Sequence, residues 1–86
     1  MFRGEPMITG VQIRSARGAL RWSSQDLARQ SGVGARTIKR LEQFDCIPPG
    51  RSETLSAIRH AFEAAHIEFI GGPNDAPGIR LTRWTH

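Results

Sequence analysis

The sequence predicts a mainly α domain: four short helices followed by two short β-strands. Three observations carry this. Eighty-six residues give room for one domain. Apolar residues recur at three- and four-residue spacing in four segments up to about residue 66. Beyond that point the period changes to alternation, around a stretch rich in glycine and proline.

Residues 1–6 carry Gly4 and Pro6 without periodicity and read as a flexible tail. Residues 7–66 read as the helical domain. Thr9 can cap a first helix running to about Arg21, with Ile13, Ala16, Arg17 and Leu20 as its inward stripe. Ser23 or Ser24 can cap a second helix, whose first turn holds Gln25 and Asp26, an acid suited to the helix dipole. Leu27, Ala28 and Ser31 form its inner face, and Gly32 stands where a helix ends in the left-handed conformation. Gly34 can cap a third helix over 35–43, with Ile38, Leu41 and Glu42 facing inward. Pro48, Pro49 and Gly50 place 44–51 in a loop. Ser52 is the expected cap of a fourth helix to about Ala65, striped with Leu55, Ile58, Phe62 and Ala65. Residues 67–86 read as two short strands, Ile67–Phe69 and Ile79–Thr82, joined by a long loop over Gly71–Gly78. Two isolated strands are marginal, so they need the helical body or a second subunit.

The composition narrows the function classes. The net charge is +4, with eleven arginines and the single lysine Lys39, which suggests an anionic partner. Cys46 is the only cysteine. It allows no internal disulfide and reads as a small buried hydrophobe. No apolar run reaches a membrane span and no signal-peptide pattern is present, so the expected location is cytoplasmic, in contact with the nucleoid. His60 and His66 are six apart, the wrong spacing for one helix face, so no metal and no cofactor are expected. Paired carboxylates, a Ser-His-Asp set and a phosphate-cradling loop are all missing, which argues against an enzyme. Trp22 is expected to pack over the first two helices.

The informative segment is 22–42, WSSQDLARQSGVGARTIKRLE. Two short helices across a tight glycine turn form a helix-turn-helix when Leu27, Val33, Ile38 and Leu41 fill the space between them. The second helix of such a pair can enter the major groove, N-terminal residues foremost. Ala35, Arg36, Thr37, Lys39 and Arg40 are the candidates for reading bases: Arg and Lys donate to guanine, and Thr and Ala meet a thymine methyl. Ser23, Ser24, Gln25, Gln43 and Arg51 are the candidates for phosphate contacts. The plainer alternative is a solvated basic face. Arg17 and Glu42 both lie on inward stripes, where a lone charge is costly, and are expected to pair with each other.

This segment resembles the Cro and phage-repressor (Xre-like) helix-turn-helix family at Leu27, Ala28, Gly32, Val33, Ile38, Leu41 and Glu42. The likeness runs back to Ile13, Arg17 and Leu20 and forward through Leu55, Ile58 and Phe62. The tail AHIEFIGGPNDAPGIRL is similar to the end of small bacterial regulators that finish in two strands. The resemblance implies a lambda-repressor-like fold, an Arg–Glu pair between first and third helices, and a DNA-binding transcriptional repressor. Departures are Ser24, where many relatives carry Gln; Gly34, where Ser or Thr is common; and the short Ala35.

One recognition helix gives limited specificity, so a symmetric homodimer on duplex DNA is expected, with Ile79, Leu81 and Trp84 as the dimer contact. The competing reading is an antitoxin or protein-interaction module on the same domain, with a toxin or regulatory protein as partner. The basic third helix favours DNA.

Overall fold

The computed structural model describes residues 8–72 and 75–82. In chain order it contains α1 (Gly10–Leu20), α2 (Ser24–Ser31), α3 (Ala35–Leu41), α4 (Ser52–Ala64), β1 (Ile67–Gly72) and β2 (Asp75–Leu81). The two strands pair antiparallel as one small sheet. The tail at residues 1–6 and the expected contact residue Trp84 lie outside the described residues.

Helix boundaries follow from local chemistry. Thr9 begins α1 with a capping box: its hydroxyl accepts from Gln12 N–H at 3.1 Å, and Gln12 Oε1 accepts from Thr9 N–H at 2.8 Å. The helix ends in a Schellman arrangement, Trp22 N–H donating to Arg17 O and Arg21 N–H to Gly18 O. Arg21, not glycine, takes the left-handed position, at φ 59°. That conformation costs an L-residue ~1 kcal/mol. Ser23 caps α2 with a second box closed by Asp26, and Gly32 ends it at φ 78°.

Three expected boundaries are corrected. The third helix stops at Leu41 rather than Gln43, with Glu42 as its cap. Its length is set by the bend of the chain back toward α1 at residues 42–46. Ser52 is the first residue of α4, and Arg51 precedes it without a side-chain capping bond. The strands also reach further into the expected loop, pairing Ile70 with Gly78 and Gly72 with Asp75 across a bulge. Gly71 and Ala76, both at positive φ, supply the bends.

Pro77 within β2 has a simple explanation. Thr82 N–H donates to His66 O at 2.8 Å, which sets the phase of the ladder. Alternation along the register then turns the backbone of Ile79 and Leu81 away from β1, and that of Pro77 with them. Proline's missing N–H therefore falls on the outer edge, where no ladder bond is lost.

The core joins the four helices and β1: Ile8, Ile13, Ala16, Leu27, Ile38, Leu41, Leu55, Ile58, Ala61, Phe62 and Ile67 are buried, and the partly buried Ile79 brings β2 against them. Trp22 does not simply cover α1 and α2. It stacks on Phe62 of α4 at 5.7 Å between ring centroids, and Phe62 meets Phe69 of β1 edge-on at 5.9 Å. These three rings tie the α1–α2 corner to the sheet through α4. Gln12 makes the second tie. Its Nε2 donates to Ile70 O at 3.2 Å and Gly78 O at 2.9 Å, so one buried amide joins the start of α1 to both strands.

Candidate nucleic-acid interface

Helices α2 and α3 are joined by Gly32, Val33 and Gly34 alone. Ile38 and Leu41 are buried and fix which side of α3 faces inward. Arg36, Lys39 and Arg40 are exposed as a consequence, while Ala35 and Thr37 are half-buried. The five residues named from sequence thus divide into three that project into solvent and two at the margin of the helix.

The ion pairs give that face its sign. Among the described residues, five acids pair with arginines elsewhere: Asp45 with Arg14, Glu42 with Arg17, Asp26 with Arg29, Glu63 with Arg59 and Glu68 with Arg80, while Glu53, in the first turn of α4, enters none of these pairs. Arg36, Lys39, Arg40 and Arg51 enter none of these pairs. Uncompensated positive charge therefore concentrates on α3, with Arg51 adding to it at the start of α4 beside the acid Glu53.

Arg51 stands across a cleft from α3. The cleft encloses about 280 Å³ and is lined by Thr37, Arg40, Leu41, Gly50, Arg51, Thr54 and Leu55. Two arginines and two threonines thus line a space large enough for a phosphate group. Thr54 was invisible to sequence reasoning, because its place in this wall depends on how α4 sits against α3. Gln43 is exposed just past α3.

The start of α2 fits a phosphate less well than its sequence suggests. Ser23 and Gln25 are exposed, but Ser24 is buried at 9% exposure and faces the body. The first helical turn rotates Ser24 inward beside Leu27, three residues on. Asp26 occupies the same turn. Hydrogen bonds from the Ser23 backbone and hydroxyl hold its carboxyl below the ordinary 3.8, so it stays charged where a phosphate would come.

Arg17 and Glu42 support α3 from behind. Arg17 Nε and Nη2 donate to the two carboxylate oxygens of Glu42 at 2.6 and 2.9 Å, and Nη1 donates to Trp22 O at 2.8 Å. The bond to Glu42 raises the pKa of Arg17 above its usual value. Glu42 is buried, so this fork satisfies a carboxylate that would otherwise be costly.

Cys46 is exposed, contrary to the expectation of a buried thiol. The loop binds through its backbone instead, Cys46 O accepting from Gly10 N–H at 3.1 Å. Ile79 packs against the core while Leu81 is 41% exposed, so the two expected dimer residues face different surroundings. Among the described residues no group of three or more His, Cys, Asp or Glu side chains could hold a metal ion, and no helix is long and apolar enough to cross a membrane. In comparisons with known proteins, no family model, curated relative or solved structure matches the chain.

Proposed function

We propose that the chain binds duplex DNA through a helix-turn-helix formed by α2 and α3, and acts as a transcriptional regulator that represses by occupying promoter DNA. The observation that supports this most is the set of cations on α3, exposed beside a glycine turn and in none of the ion pairs that engage five acids elsewhere among the described residues. Arg36 and Lys39 are the side chains best placed to reach base edges. Arg40 shares its cleft with Arg51 and Thr54, which suits it better to a phosphate. The functional unit is a homodimer, because one short helix reads too few bases. The outward backbone of β2 and the exposed Leu81 offer an edge for that pairing. Soluble cytoplasmic residence follows from this role.

The electrostatic half of the proposal is tested by titrating a labelled mixed-sequence duplex by fluorescence anisotropy at several salt concentrations. Affinity should fall linearly with salt on logarithmic axes. Arg51→Ala should weaken binding to all duplexes alike and reduce the slope by about 1, whereas Arg59→Ala, on α4 and paired with Glu63, should leave it unchanged. Salt-independent binding, or equal effects of the two substitutions, would contradict the assignment.

A further inference from the structure

Helix α3 is seven residues long and has no side-chain cap at its start, so its orientation depends on what grips it. Ile38 and Leu41 fix its rotation by burial. The grip on its end comes from one row of α1, at Gly10, Arg14 and Arg17. Gly10 N–H donates to Cys46 O. A side chain at Gly10 would overlap Phe44 O and lie 2.6 Å from Leu41 O, so only glycine lets α1 approach this closely. Arg14 Nη1 donates to the carbonyl of Glu42, the cap residue of α3, and its Nη2 meets Asp45 Oδ1 at 3.2 Å. Arg17 holds the Glu42 side chain.

Two features distinguish Arg14 from ordinary packing. Its side chain is 42% exposed, so little apolar burial is lost when it is truncated. Its charge also sits at the C-terminal end of α3, where backbone carbonyls lack intrahelical partners and a cation is favoured. We propose that Arg14 is a positioning residue that sets the tilt of α3 by holding its C-terminal carbonyl; this rests on the DNA-binding reading of α3. The lever is short but effective. From Leu41 to Ala35 the axis spans about 9 Å, so a 10° tilt about the held end displaces the leading residues by roughly 1.5 Å. Two-point recognition of a base edge does not survive such a shift.

The test compares wild type, Arg14→Ala and Arg14→Lys. Residual dipolar couplings of the α3 amides are measured in the free protein. Base discrimination and affinity are measured on the duplex that wild type prefers, with thermal unfolding alongside. The expected result for Arg14→Ala is a changed α3 orientation, affinity lower on the order of fivefold and relaxed preference at one base pair per half-site, with the unfolding temperature lowered by only about 4–8 °C, so that the protein stays folded in the binding assay. Arg14→Lys, which can hold the carbonyl or Asp45 but not both, should recover part of the preference. Unchanged couplings and discrimination would overturn the inference, as would weaker binding that merely follows lost stability. A wild type that prefers no duplex would overturn the DNA reading itself and any DNA role of Arg14. The couplings would then report separately whether Arg14 holds the helix.

Discussion

Replacing Arg17 with methionine should cost about 3 kcal/mol. Arg17 makes three hydrogen bonds, two to Glu42 and one to Trp22 O. Methionine restores the aliphatic stem but none of these donors. Glu42 is then left as a buried carboxylate without a cation, a situation that costs ~3–5 kcal/mol. The lower end applies because a quarter of the Arg17 side chain is solvent-exposed, against 9% for Glu42. In a domain of this size the loss lowers the midpoint of thermal unfolding by roughly 12–24 °C. The assay is urea denaturation of wild type, Arg17→Met, Glu42→Leu and the double variant. Replacing both partners removes the orphaned charge, so the double variant should return to within ~1 kcal/mol of wild type. A loss below ~1 kcal/mol for Arg17→Met, or single costs that simply add, would refute the reasoning.

Gln12→Ala should cost roughly 2–3 kcal/mol, because it frees two strand carbonyls and the Thr9 N–H together. Hydrogen exchange should then rise first in β1 and β2; a uniform rise across the helices would argue against Gln12 as their tie. Asp26 gives a pH signature. Its folded pKa is lowered by the Ser23 hydrogen bonds, so its contribution is fully present above the ordinary carboxylate range and is lost as pH falls through the lowered value. Nuclear magnetic resonance titration should show the Asp26 carboxyl and the Ser23 amide moving together below the ordinary 3.8, and separate midpoints would contradict the capping box.

Much of this architecture is legible in the sequence because it is written locally. Caps and turns lie within a few residues of one another, as at Thr9, Ser23 and Gly32, and the stripe through Leu55, Ile58 and Phe62 repeats at the helical period. The less legible features depend on contacts distant along the chain. The tie that Gln12 makes to the strands has no local signal, because its acceptors lie 58 and 66 residues away. Cys46 reads as buried from its residue type, yet the loop docks on α1 through its backbone. The strand content of 75–78 is hidden by Ala-Pro-Gly, a composition that signals a loop unless the proline is known to face outward. At the candidate interface the basic face of α3 follows from helical spacing. The inward turn of Ser24 and the cleft shared by Arg40, Arg51 and Thr54 need the packed structure. Arg14 carried a sequence signal, since it falls three residues before Arg17 on the same flank of α1, but its acceptor at the end of α3 did not.

The central claim is that α3 reads DNA sequence, and selection from a pool of random duplexes tests it most directly. The account predicts enrichment of a two-fold symmetric site, with Arg36→Ala losing ~1–3 kcal/mol of affinity and relaxing preference at one base pair in each half-site. A pool that emerges unenriched, or an enriched site bound equally well by Arg36→Ala and Lys39→Ala, would contradict it.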